Sequence, residues 1–315
     1  MIYADNASTT QLSELAFEKM LPFLKEQYGN ASNIYSFGAK AKRAVEQSRK
    51  QVAAAIGAES SEIVFTSGGS EGNSWLIQGI ATLYNEQSIH IITSSIEHPS
   101  VLNACHAIEQ YGVSVTYLPV NGDGVVSVID VEAALRPDTK LVSIIHANNE
   151  IGTIQPIAEI GKLLRGHKIL FHTDAVQAVG HIPVNINDLQ IDFLTASAHK
   201  FNGAKGTGFV YIRSGMTLPN MIFGGKQEQG KRAGTENVVG IVALGAALEE
   251  SVAIMTDEEK KMNLLVHETI MGLQTGIPNI RFNWKNAEED AKKIVSAVCE
   301  AYEKIVATKV AERSQ

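Results

Sequence analysis

Seven short apolar runs, rich in β-branched and aromatic residues, constrain this chain more than any other feature. They are EIVFT (62–66), SIHIIT (88–93), VSVTYL (113–118), KLVSIIHA (140–147), KILFHT (168–173), DFLTAS (192–197) and GFVYIR (208–213). Most are continuous rather than alternating, the pattern of strands covered on both faces. Helical stretches near 38–56, 71–84, 99–111, 129–135 and 157–165 lie between them. The rhythm predicts an α/β domain, a largely parallel sheet flanked by crossover helices. After about residue 235 it changes. ENVVGIVALGAALEESVAIM predicts a long apolar helix, EEKKMNLLVHETIMGLQTG an amphipathic one, and 286–310 a third. The expected division is an N-terminal segment 1–15 packing with a small C-terminal domain, a large α/β domain 16–240, and a small helical domain 241–315.

Composition narrows the function classes. Apolar residues make up 44% of the 315 and charged residues 19%, with a net charge of −7. That is globular rather than disordered composition. The mild acidity argues against nucleic acid or a polybasic membrane contact. No run of about 20 apolar residues suggests a membrane span. MIYADNASTT lacks the basic and apolar regions of a secretory signal, so the expected compartment is the cytosol. Two cysteines, Cys105 and Cys299, are too few for a disulfide framework or a cysteine-rich metal site. No histidine shows a metal-ligand spacing, so no metal is expected.

Ligands of open α/β sheets gather beyond the carboxyl ends of the strands. Four features fall there. FTSGGSEGN (65–73) runs from a strand through Gly68, Gly69 and Ser70 into a helix; it is either an anion cradle or an ordinary turn with Ser70 as helix cap. Asp174 ends an apolar strand, with Gln177 three residues on; a carboxylate there needs a cationic partner or serves as a cap. In SAHK (197–200) a lysine follows a histidine at a strand end; it is either a solvated lysine or, desolvated, one able to condense with a carbonyl. His98, before Pro99 at a helix start, is either structural or a flat ring able to stack and move protons. Together they supply an anion cradle, a carboxylate for a ring nitrogen, a stacking imidazole and an amine, the set that pyridoxal phosphate requires.

The chain also resembles the cysteine desulfurase group of the class V, fold-type I aminotransferase-like enzymes. The matching stretches are YADNASTT (3–10), YGNASNIYSFG (28–38), FTSGGSEGN (65–73), EHPSV (97–101), HANNEIGTIQPI (146–157), HTDAVQAVG (172–180), SAHKFNGAKGTGFVYIR (197–213) and GGKQEQGKRAGTEN (224–237), in family order. The resemblance implies a pyridoxal-phosphate-dependent transferase fold with a shortened small helical C-terminal domain. It implies that Lys200 carries the cofactor and takes the substrate's α-proton. Asp174 would hold the pyridine nitrogen protonated, Gln177 and Asn149 would reach the ring's phenolic oxygen or its neighbourhood, and His98 would stack on the ring and relay protons. Gly69, Ser70, Ser197 and His199 would bind the phosphate. Thr235 would reach the phosphate of the partner subunit's cofactor, which implies a homodimer with shared sites. The implied reaction converts L-cysteine to alanine and passes sulfur to an enzyme cysteine, toward an acceptor or scaffold protein in iron–sulfur assembly.

The sequence departs from the family after residue 284. IPNIRFNWKN (277–286) runs directly into AEEDAKKIVSAVCEAYEKIV, where the family continues through an RLPN-type motif to a loop holding the nucleophilic cysteine. A few dozen residues are expected to be missing, with the arginine that clamps the substrate carboxylate. Cys299 borders an apolar helical face and Cys105 lies in a helix, so both read as packed thiols; Arg281 is a carboxylate partner by position only. Tyr35, Lys226 and Ala31 also depart from the family's usual residues. The expected function is a cysteine desulfurase-like enzyme with an impaired persulfide step. The alternatives are another pyridoxal-phosphate lyase or aminotransferase on a small amino acid, or an inactive cofactor-binding partner in sulfur transfer.

Overall fold

A computed structural model describes residues 3, 5–84 and 88–276. Among these, seven strands form one sheet: β1 (Ile63–Thr66), β2 (His90–Ser94), β3 (Ser114–Leu118), β4 (Thr139–Ser143), β5 (Leu170–Asp174), β6 (Phe193–Ser197) and β7 (Gly208–Ile212). Their order is β1-β7-β6-β5-β4-β2-β3. β7 pairs antiparallel with both neighbours, and every other pairing is parallel. Each expected run overlaps one of these strands.

The helices are α1 (Glu14–Lys25), α2 (Ser36–Ile56), α3 (Gly69–Leu83), α4 (Pro99–Glu109), α5 (Val128–Ala134), α6 (Ile157–His167) and α7 (Val238–Gly276). The strand side chains alternate between two cores, as period-2 geometry requires. Phe65, Ile92, Val142, Leu194, Phe209 and Tyr211 point to one core, with residues of α2, α6 and α7. Val64, Ile91, Leu141, Phe193, Val210 and Ile212 point to the other, with residues of α3 and α4. The sheet is therefore the middle of three layers, and both faces of its strands had to be apolar.

Two helical features differ from the sequence reading. α1 is an additional helix; Ser13 Oγ caps it by accepting from Ala16 N–H at 3.1 Å. Pro22 inside it and the exposure of Phe17, Leu21 and Leu24 hide its periodicity. The two helices expected between about 236 and 275 are one, α7, of 39 residues. The expected join at Thr256–Asp257 stays helical: the residues that follow are mostly good helix formers, and Lys260 pairs with Asp257 one turn back. By length and composition α7 could cross a membrane, yet Ile241, Ala243, Leu244, Ala247 and Leu248 are buried in the first core. The third expected helix, Arg281 and Cys299 lie outside the described residues.

A buried ion pair ties the 224–237 loop to this scaffold. Arg49 on α2 donates to Glu228 at 2.6 and 2.8 Å and to the Ile63 carbonyl at 2.9 Å, while Glu228 accepts from Phe65 N–H at 2.8 Å. Both side chains are 4% exposed, and Glu228 and Gln229 hold left-handed backbone, φ 46° and 60°. Removing one partner leaves an uncompensated buried charge. Glu228→Ala should therefore lower stability by about 3–5 kcal/mol, read as a lower urea midpoint with an unchanged slope.

Candidate active site

The carboxyl ends of the parallel strands open onto a cavity of about 560 Å³. Gly69, Ser70, His98, Asn149, Asp174, Gln177, Ser197, His199 and Lys200 all line it. Each comes from a strand end or the turn after it. Asp174 and Ser197 end β5 and β6, and Lys200 closes the short 3-10 turn Ala198–Lys200 that follows β6. His98 caps α4, with Pro99 in the first helical position, where a missing N–H costs nothing. Thr235 is the exception. It lines a smaller cavity of about 190 Å³ with Ser67, Thr207, Glu228 and Arg232.

The anion cradle is built by close approach. A Cβ on Gly69 would sit 2.7 Å from Val176 Cγ2, and one on Gly72 would sit 2.7 Å from Thr195 Cγ2, so α3 starts hard against the sheet. Its first residues, Gly69 and Ser70, line the cavity with Ser197, and a helix N-terminus at a cavity favours a phosphate. Glu71 fixes the turn by accepting from Ser67 N–H at 2.9 Å and from Arg232 at 2.8 Å. That ion pair joins the cradle to the loop carrying Thr235.

Asp174 is 2% exposed. Its Oδ1 accepts from Val176 N–H at 3.0 Å and its Oδ2 from Asn73 Nδ2 at 2.7 Å. Burial pushes its carboxyl up, against these hydrogen bonds and the charges of His98 and Lys200. A cationic ring nitrogen would supply the counter-charge that its two neutral donors do not. Lys200 Nζ donates to the carbonyls of Ala7 at 2.6 Å and Ser8 at 2.7 Å. Half-burial holds its ammonium below the usual lysine range, with Asp5 and Asp174 opposing. An amine so placed releases its proton more readily, as condensation with an aldehyde demands. His199 donates or accepts at Thr9 Oγ1, 3.0 Å away. Burial, with the charges of Lys200 and Lys205, pushes it down to about 4, so it stays neutral beside the lysine.

Sequence reasoning missed Asn73, Ser100 and the N-terminal segment, all of which line the cavity. Asn73 lies three residues beyond Ser70 on α3, a spacing that puts both on one helix face. Ala7 and Ser8 act through backbone carbonyls, which residue type does not signal. Gln177 Nε2 also donates to Ala7 O, at 2.8 Å. Cys105 is buried in the second core, and burial pushes its thiol up to about 12, so it is no nucleophile there.

Glu97 lies beneath the same strand ends, and its Oε1 accepts from Ser94 Oγ at 2.6 Å and Ile145 N–H at 2.8 Å. Burial, aided by the charge of Asp174, pushes its carboxyl up to about 8. The unfolded chain ionises it near pH ~4.3. Between that value and 8 only the folded state keeps the proton, so stability falls as pH rises. Glu97→Gln keeps the acceptor and removes the titration. Its melting temperature relative to the parent protein should therefore climb from pH 5 to pH 8, and a constant difference would contradict the burial argument.

The class-V aminotransferase pattern matches residues 2–314. A Dictyoglomus turgidum protein named cysteine desulfurase IscS is 49% identical over 282 residues, 90% of this chain and 72% of its own length. A Methanosarcina thermophila protein of the same name is 48% identical, over 90% of this chain and 70% of its length. Among solved structures, a NifS-like protein superposes with a TM-score of 0.86 at 34% identity, covering 95% of this chain and 91% of the other. SspA in complex with cysteine superposes with a TM-score of 0.78 at 35% identity, covering 96% of each.

Proposed function

Because the chain belongs to the class-V aminotransferase family, and within it to the cysteine desulfurases, we propose that it takes sulfur from L-cysteine using pyridoxal phosphate held on Lys200. Members of this family use that cofactor. The observation that carries the reading is the shared cavity: a half-buried amine, a buried carboxylate lacking a cation and an amide cradle all open onto it. When bound, the cofactor supplies an aldehyde for amines and a ring that accepts electrons.

The chain's own residues do the rest. The α3 amides, Ser70, Ser197 and His199 would hold the phosphate, and Gln177 and Asn149 would reach the ring's phenolic oxygen or its neighbourhood. Asp174 would keep a proton on the ring nitrogen through its buried negative charge. Lys200 Nζ would hold the cofactor and, when free of it, move the substrate's α-proton. His98, which lines the cavity, would lie against the ring and relay protons. The sulfur passes to a thiol other than Cys105, and without the family's cysteine loop this step is slow unless an external thiol accepts it. We place the destination in iron–sulfur assembly, through an acceptor protein. The test is alanine release from cysteine by the loaded protein with and without added dithiol. Release that dithiol accelerates is expected; no alanine under either condition would contradict the proposal.

A homodimer is part of the proposal. Thr235 lies away from the cavity of its own Lys200. Its loop touches the 28–35 loop, where Ser32 Oγ accepts from Gln227 Nε2 at 3.3 Å. Tyr28, Ile34, Tyr35 and Phe223 on these loops are exposed, Ile34 completely. Exposed apolar side chains grouped on adjoining loops favour association. Sedimentation should give twice the chain mass, and Ile34→Asp with Phe223→Asp should give monomers that bind cofactor more weakly.

A further inference from the structure

We propose that Asn73 and Ser100 are positioning residues that hold His98 in one tautomer, hydrogen on Nε2, and couple its orientation to Asp174. The chain of contacts is continuous. Asn73 Nδ2 lies 2.7 Å from Asp174 Oδ2 and 2.8 Å from Ser100 Oγ. Ser100 Oγ lies 2.7 Å from His98 Nδ1, and Ser100 N–H donates to the same nitrogen at 3.1 Å.

Hydrogen accounting fixes the direction of each bond. An amide nitrogen has two hydrogens and no acceptor capacity. One goes to Asp174, whose Oδ2 accepts, and the other to Ser100 Oγ. The serine hydroxyl has a single hydrogen, which goes onward to His98 Nδ1. That nitrogen thus faces two donors, one of them backbone that cannot reverse. A hydrogen on Nδ1 would oppose both, so the ring carries it on Nε2.

The orientation of the Asn73 amide follows from the same contacts. Turned over, its oxygen would face the Asp174 carboxylate, and two acceptors would oppose each other. In the orientation present, Asn73 is fully buried and its Oδ1 has no hydrogen-bond partner among the described residues. Leaving a buried acceptor unpaired is unfavourable. An apolar residue would avoid that loss but could not donate to Asp174 and Ser100 together. The site keeps the strain and gains a fixed imidazole beside a fixed carboxylate.

The tautomer follows from the geometry alone; its effect on turnover rests on the activity proposed above. The test uses the full chain labelled with 15N-histidine, with and without pyridoxal phosphate, the His98 signals being assigned by their loss in His98→Gln. The parent protein should show an acceptor-type Nδ1 and a protonated Nε2. In Ser100→Ala, where the backbone N–H alone still donates to Nδ1, and in Asn73→Ala, where the serine hydroxyl is no longer directed, the Nδ1 signal should move part of the way toward the tautomer-averaged position, and Ser100→Thr should restore it. Both alanine variants should lose about tenfold in kcat with little change in KM, short of the roughly 10²–10⁴ that a general acid–base group itself supplies. Hydrogen on Nδ1 in the parent protein would overturn the proposal. So would alanine variants with unmoved His98 signals, or with unchanged kcat. A parent protein with the expected spectrum but no alanine release would uphold the tautomer and overturn the activity instead.

Discussion

Lys200→Ala is expected to remove turnover of cysteine, by a factor on the order of 10⁴ or more, since in the proposed mechanism one amine both carries the cofactor and moves the proton. The fold should survive. Lys200 ends on the carbonyls of Ala7 and Ser8, not in either core. What the variant loses structurally is a tether on the N-terminal segment, which Thr10 N–H still holds through the His199 carbonyl at 2.9 Å. Alanine release and thermal melting on the same preparation separate the two effects. A variant that retains a tenth of the parent rate would show that the amine is not in the chemistry.

Asp174→Ala should have the next largest effect. A buried charge pair that loses one partner typically costs about 3–5 kcal/mol, which is roughly 10² to 10⁴ in a rate or affinity. That loss should appear only with cofactor present, in both kcat and cofactor affinity, because the cation proposed to meet Asp174 belongs to the ring. Without cofactor the sign should reverse. Burial disfavours this carboxyl, so Asp174→Asn, which removes the charge and keeps the shape, should leave the protein as stable as the parent or more so. Comparing urea midpoints with and without pyridoxal phosphate measures both signs. Equal losses in the two conditions would make Asp174 merely a structural cap.

The sheet was legible because its strands are covered on both faces. Val64 faces one core and Phe65 the other, so the run around them had to be continuously apolar. α1 was not legible, since only Ala16 of its residues is buried. The join within α7 was not legible because the pattern changes there from apolar to amphipathic, whereas the backbone stays helical through Thr256 and Asp257. Within the site, Lys200 and Asp174 announced themselves through residue type at strand ends. Asn73 and Ser100 did not, because their roles depend on which neighbour each hydrogen reaches, and that is settled only once α3 and α4 lie side by side. Thr235 was expected to reach the partner subunit's cofactor; it lines a separate cavity with Arg232, which pairs with Glu71.

The account stands on one amine, and borohydride reduction tests it most directly. The protein is incubated with pyridoxal phosphate, reduced, digested and mapped by mass spectrometry. The account predicts the pyridoxyl label on the peptide containing Lys200, at one label per chain, and displacement of that label when cysteine is added before reduction. Label spread over exposed lysines such as Lys25 and Lys205, with Lys200 unmodified, would contradict it.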